Sequence, residues 1–423
     1  MLEFRSLLFA GSLALPIAAL AAPVYEVTSG DNDGPGSLRA GLASGATRIV
    51  IDQSVATIVL DDTLVYAGEA PLSIRGYGQL IDGSLPESGG SPILHVTAGA
   101  DLSLADLEFA GFGGYSIENP GGGKGIFVQV PGDRAGVVSV ELTDVTVRDT
   151  GYHGVHISDC QGGDDCGAGA GEGEEPGSPA SIVLQMSGVE IDRAGFGRQD
   201  GDGVRIDDRE AGDIGLSVTD SIFRYVGGDG IELDEGGAGD VLINVRNSLF
   251  DNNGAYCFDY DADGPFDPIA VDPACDDDGD PDVDDAFDID EAGPGLIAGR
   301  VTNVDLFENY DEGLDFDTQG GGNADGVSAD LDIADIFAFG NADEAVKVSE
   351  EDSGSVRVDM RALDIEGDVE VEEENDGDLY VTLNGSVIGD DLKLAQSDAG
   401  AGVVKVRGSS VADDTELDGV IEN

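Results

Sequence analysis

The side chains of this sequence that could do chemistry are overwhelmingly carboxylates, and the densest set is Asp259-Tyr-Asp261-Ala-Asp263-Gly264, followed by Asp267. Alternating acids around a glycine bend gather hard oxygen donors at one point, which is the coordination calcium takes. The position that would carry the bidentate glutamate of a twelve-residue calcium loop holds Ala270. Closing the shell would therefore fall to Asp272 or to a following run of acids: Asp276, Asp278, Asp280, Asp282 or Asp284. The alternative is an acidic loop that is merely hydrated. Cys257 and Cys275 bracket this loop, and Cys160 and Cys166 enclose a shorter one, so local pairings of 160 with 166 and 257 with 275 are expected in an oxidising compartment. Zinc is disfavoured, because no CxxC spacing occurs and the chain has 3 histidines.

A second candidate set occupies the middle position of a recurring Gly-apolar-x-apolar frame: His156, Arg205, Glu232, Cys257, Asp315, Lys347, Glu370 and Lys393. The position before the frame holds His153, Asp202, Asp229, Glu312, Glu344 and Asp390, and the position after it Asp159, Asp208, Glu235, Glu350 and Glu373. If successive frames stack, His156, Arg205 and Glu232 converge on one ligand, and the flanking rows of like charge call for a cation or high salt to relieve their repulsion. In an enzyme, Arg205 or His156 would accept a proton or steady developing charge, with Asp202, Asp229, Asp207 or Asp234 as calcium ligands or as acid and base. The alternative is an exposed ladder of alternating charges that offset one another.

Stacking is what the rest of the sequence predicts. A frame apolar-x-(Asp/Asn/Gly)-(apolar or Ser)-x-apolar recurs ten times, starting at Leu104, Leu142, Met186, Val218, Val245, Val301, Ile333, Met360, Leu383 and Val406. The last three starts are 23 residues apart, and the other gaps are 23 plus an insertion. The Gly-apolar-x-apolar frame follows at Gly154, Gly203, Gly230, Ala255, Gly313, Ala345, Asp368 and Asp391, always in the same order. Both frames alternate with period two and are separated by Gly, Asn or Asp, so they read as short strands joined by tight turns. One such repeat cannot bury its apolar face alone, whereas coiling lays each strand on its counterpart a turn later. The expected fold is all-β: a right-handed parallel β-helix solenoid of about 13 coils, on the order of 60 Å long. Sustained helical periodicity is absent, and 65 glycines oppose a helical bundle. Most insertions follow the second frame, the longest at 159 to 180 and 259 to 297, which places them on one face.

The first 21 residues read as a secretory signal, with Arg5, the apolar run Leu7 to Leu20 and a small-residue cleavage site near Ala21. Residues 22 to 60 are expected to form the N-terminal cap and first strands, and 61 to 423 the coil. The mature chain would then be extracellular or periplasmic, with no membrane-spanning segment. Its 87 Asp and Glu against 20 Lys and Arg, only four of them Lys, give a net charge of −67, which excludes nucleic acid and anionic membrane as direct partners. Calcium binding and adaptation to a saline environment both account for that charge.

With the repeat in view, the chain resembles the right-handed parallel β-helix (pectin-lyase-like) superfamily. Gly36-Ser37-Leu38-Arg39 resembles the segment that precedes a short helix closing the N-terminal end of many secreted members, and 49 to 83 resembles their first coils. The resemblance spans about residues 25 to 420 and implies a fold and polysaccharide-related chemistry. It does not carry an activity, because the Arg-x-Pro-x-x-Arg of pectate lyases, the Asn-Thr-Asp and Arg-Ile-Lys of polygalacturonases and the Asp-Pro-His of alginate epimerases are all missing. Two functions are therefore expected. The first is a calcium-binding surface or matrix protein that meets polysaccharide or another envelope component. The second is a calcium-dependent lyase or hydrolase of an acidic polysaccharide.

Overall fold

A computed structural model describes residues 24–83, 92–111, 123–160, 177–195, 201–254, 284–320, 322–397 and 399–422. Within them the chain is almost entirely parallel strand, in one 20-stranded and one 12-stranded sheet, with a single short helix. Parallel pairing throughout, each strand beside its counterpart from the next repeat, is the arrangement a parallel β-helix solenoid requires.

The first frame explains the larger sheet. All ten of its starting residues are register partners, from Leu104 opposite Leu142 to Leu383 opposite Val406. The Asp, Asn or Gly two residues on sits in the left-handed region at every start, for example Asp106 (φ 54), Asn247 (φ 53) and Gly408 (φ 63). Those residue types enter that region at least cost, so the frame's third position bends each strand without breaking the stack. Ala362 (φ 52) is the exception and carries the strain of its Cβ there.

The second sheet bears on function, and its strands are numbered here in chain order: β1 (Leu64–Tyr66), β2 (Leu94–Val96), β3 (Ile126–Gln129), β4 (Val155–Ser158), β5 (Val204–Asp208) and β6 (Ile231–Glu235). They continue as β7 (Phe287–Glu291), β8 (Asp315–Thr318), β9 (Val346–Glu350), β10 (Val369–Glu373), β11 (Leu392–Gln396) and β12 (Thr415–Asp418). Their spatial order is their chain order. From β9 onward, in-register partners are 23 residues apart, as Val346 opposite Val369 and Leu392 opposite Thr415. Between the two sheets runs one continuous aliphatic core, with Phe223, Phe250, Phe287 and Phe316 in a row along it at centroid spacings of 4.8, 6.2 and 5.2 Å, the first three rings stacked and the last met edge-on.

One assignment changes. The strand in register after β6 is Phe287–Glu291, not the segment at Ala255-Tyr256-Cys257-Phe258. Both carry the same alternation, and what selects 287 is the core: Phe287 fills the place between Phe250 and Phe316 in the aromatic row. The insertion therefore precedes its strand here, and the span 259 to 297 contains a core strand. The middle-position column accordingly takes Asp288 in place of Cys257.

Near the N-terminus a helix, α1 (Leu38–Ala43), follows Ser37, whose hydroxyl accepts the Ala40 amide at 3.1 Å. Leu38 and Leu42 are buried, and the helix packs on the strands Val24–Val27 and Arg48–Ile51 and on β1. The expected signal segment lies outside the described residues. Among the described residues, no helix is long and apolar enough to cross a membrane.

Candidate functional site

The acidic loop with Asp259, Asp261, Asp263, Asp267, Asp276, Asp278 and Asp280 lies outside the described residues, as do Cys166, Cys257 and Cys275. Cys160 is buried just beyond β4. Apart from Cys257, the second candidate set lies within the described residues, and the structure brings His156, Arg205 and Glu232 together.

Register alone aligns the middle-position column. His156 lies opposite Arg205, Arg205 opposite Glu232 and Glu232 opposite Asp288. Two residues on, the same face carries Ser158, Asp207, Asp234 and Asp290. These side chains point away from the aliphatic core, as expected, yet they are not an exposed ladder. Arg205 is 1 % exposed, and His156, Asp202, Asp207 and Asp234 are fully buried. Alternation in a strand marks which side faces the core and is silent on whether the far side is covered, so sequence could not reveal this.

Arg205 is the hub. Its Nε donates to Asp207 Oδ1 at 2.9 Å and its Nη2 to Asp234 Oδ2 at 2.7 Å. Nη1 reaches Glu232 Oε2 and, at 3.4 Å, Asp202 Oδ2. A guanidinium presents a fixed fork of five N–H groups and is costly to bury without partners, so four surrounding carboxylates hold it charged, well above its already high range. Burial would raise Asp207, but Arg205 and His156 outweigh it and hold that carboxyl well below its ordinary value.

His156 links this hub to the preceding coil. Its Nε2 meets Asp207 Oδ2 at 2.6 Å and its Nδ1 meets Lys124 Nζ at 2.6 Å. Burial first, and then the Lys124 charge, lower its pKa to about 4. The ring is therefore neutral at ordinary pH, with Nε2–H donated to Asp207 and the Nδ1 lone pair accepting from Lys124. Aromatic rings fix its orientation: Phe127 stacks on it at 5.0 Å and His95 stacks on Phe127 at 4.8 Å.

Beside the hub, Asp202, Asp229 and Glu232 each place one oxygen within 4.8 Å of the others. Burial is the main force raising Asp229 and Glu232 well above the usual carboxylate range. Asp284 and Asp202 add to it at Asp229, while Arg205 only partly offsets it at Glu232. Burial likewise raises Asp234 to about 8. The carboxylates outnumber the cations, and either protons or a cation must make up the difference.

The flanking columns turn out to have structural duties as well. Before the strands, each acid accepts the amide of its counterpart one coil on: Asp229 N to Asp202 Oδ1 at 3.1 Å, Asp285 N to Asp229 Oδ1 at 2.6 Å, and Glu312 N to Asp285 Oδ1 at 2.8 Å. After the strands, acids close the turn that follows. Glu235 accepts from Gly237 and Gly239, Glu291 from Gly293, and Glu350 from Asp352 and Gly354. Stacked and buried, these turn-closing acids are pushed upward chiefly by burial, Asp208 to about 8, Glu235 to about 7 and Glu291 to about 10.

Three participants escaped the sequence reading. Lys124 precedes Gly125-Ile126-Phe127-Val128, which has the same pattern as Gly154-Val155-His156-Ile157, so extending the frame one coil earlier would have placed it in the column of His153, with Phe127 opposite His156. Asp285 and Asp288 were hidden by the misplaced strand at 255. No family model, no curated protein and no solved structure matches this chain.

Proposed function

We propose that this is a secreted, calcium-binding protein of the cell surface or extracellular matrix, a right-handed β-helix rod of about 13 coils with a 23-residue core repeat. In this reading it is not catalytic and meets glycans or other envelope components along its acidic face. The observation that carries it is the buried trio Asp202, Asp229 and Glu232, all oxygen donors, with ligand atoms within 4.8 Å of one another and with Asp229 and Glu232 raised well above the usual carboxylate range chiefly by burial. Oxygen-only ligands suit calcium better than a transition metal, and a divalent ion would ionise them without a proton. The acidic run from Asp259 to Asp280 would add further sites. The test is the calcium-dependent rise in melting temperature at constant ionic strength, which separates a specific ion from general salt adaptation. Asp202→Asn with Asp229→Asn should remove most of the rise that belongs to this trio, and an unchanged rise would refute the assignment.

A second reading, a calcium-dependent lyase or hydrolase of an acidic polysaccharide, is favoured by the chain Lys124–His156–Asp207. A carboxylate orients a neutral imidazole whose other nitrogen faces an ammonium, so a proton could pass along it, with Arg205 beside it to steady an anionic sugar. Incubation with pectin, alginate and glycosaminoglycans decides between the two. Unsaturated or reducing products that disappear in Lys124→Met support the enzyme, and no products support the binding protein.

A further inference from the structure

One coil beyond the trio stands another group of acids. Register places Asp288 of β7 opposite Glu232 on one side and Asp315 of β8 on the other. Asp285 enters β7 from the turn, its amide held by Asp229 Oδ1 and its own Oδ1 accepting the Glu312 amide, so its position is fixed from both neighbouring coils. Asp285, Asp288 and Asp315 each bring one oxygen within 4.8 Å of the others.

A row of acids alone would be no site, and the independent sign is at Asp315. Its Oδ2 is taken by Lys347 Nζ at 2.7 Å, while its Oδ1 is buried with no hydrogen-bond partner, in a residue that is 8 % exposed. A carboxylate oxygen so placed is costly to leave unbound. Lys347 is also shared with Glu312 at 3.1 Å, so one ammonium serves two acids on this coil. Asp288 is only half-buried, which gives an ion a way in from solvent.

We propose that Asp285, Asp288 and Asp315 hold a second divalent cation, one coil from the ion at Asp202, Asp229 and Glu232, so that the face carries a pair of ions. The proposal rests on the calcium reading above for the kind of ion and on its own residues for the site. Asp229 accepts the Asp285 amide and Glu232 stands in register with Asp288, so the two positions are neighbours on one ladder.

The experiment is calcium stoichiometry on the full chain by equilibrium dialysis and titration calorimetry. Wild type is compared with Asp288→Asn plus Asp315→Asn, with Asp202→Asn plus Asp229→Asn, and with all four together. Each pair is expected to lose one ion per chain and the combination two, whatever the acidic loop contributes to all of them equally. An unchanged ion count and affinity in the Asp288→Asn plus Asp315→Asn variant would overturn the proposal. An unchanged count in the other pair alone would overturn only the first site. Should the asparagine pair not fold, as read by circular dichroism, Asp288→Lys places an ammonium where the ion would sit. It should fold without calcium and bind one ion fewer, and an undiminished count in it would equally overturn the proposal.

Discussion

Strands β4 to β6 and β9 to β11 are built on the same frame, in the same parallel register, with polar and ionisable residues in the same column: His156, Arg205 and Glu232 in one, Lys347, Glu370 and Lys393 in the other. In β4 to β6 every residue is buried, on both faces of the strand. In β9 to β11 buried and half-exposed residues alternate. Arg205 holds four carboxylates with 1 % of its own side chain exposed, whereas Lys393 holds Glu370 and Glu372 with 43 % of its own side chain exposed. The repeat thus determines who faces whom, and burial determines what the encounter is worth. A ladder contact at the surface is screened and weak, while the same contact buried becomes a constraint that shifts pKa values and favours a bound ion.

The sharpest way to break this comparison is to truncate the two equivalent hubs. Arg205→Ala would leave Asp202, Asp207, Glu232 and Asp234 buried together without their shared cation, and a loss of about 3 to 5 kcal/mol is expected by urea denaturation at neutral pH. The account fails at this point if Arg205→Ala proves no more harmful than a surface substitution.

A pH series comes next. Asp208, Asp234 and Glu235, raised to about 8, 8 and 7 in the fold, bind protons that the unfolded chain releases near its ordinary carboxylate values. Between those limits the folded state holds more protons, so stability falls as pH rises from about 5 to about 8. His156 works in the opposite sense: lowered to about 4, its contribution is present above its ordinary range and is lost as pH falls through it. In chelator the melting temperature should therefore peak on the mildly acidic side and drop by roughly 10 °C toward pH 8. Calcium should restore more at the higher pH than at the lower, and a flat profile in chelator would contradict the buried-acid account.

Two smaller effects test the exposed half. Ala362→Gly relieves a left-handed alanine and should stabilise the fold by about 1 kcal/mol, since the other frames place Asp, Asn or Gly there. Lys393→Ala, the counterpart of Arg205→Ala, should cost under about 1 kcal/mol. Equal penalties for Lys393→Ala and Arg205→Ala would erase the distinction between the two regions.

How much of this could be read from sequence follows the same division. The ten frames stack residue for residue because their signal is local: an apolar residue facing the core and, two on, a residue that tolerates positive φ. The convergence of His156, Arg205 and Glu232 with Asp202 and Asp229 followed from register alone. Three things did not follow. The strand at Phe287 was chosen by an aromatic row formed across coils. Lys124 belonged to a frame one coil earlier than the pattern was traced. Burial of the outer face depends on what lies over it, which alternation does not encode. The turn-closing duties of Glu235, Glu291 and Glu350 were also illegible, since a carboxylate bound to backbone amides and one awaiting a cation look alike in a sequence.

The central claim is that the buried face of β4 to β6 is a preformed calcium site. The most direct measurement is the calcium-induced change in melting temperature of wild type and of Asp202→Asn plus Asp229→Asn, in chelator and in millimolar calcium near pH 8, at constant ionic strength. The account predicts a rise in wild type that is clearly smaller in the variant, together with a variant that is no less stable than wild type in chelator, because two mutually repelling buried acids have been removed. Equal calcium-induced rises in the two proteins would contradict it.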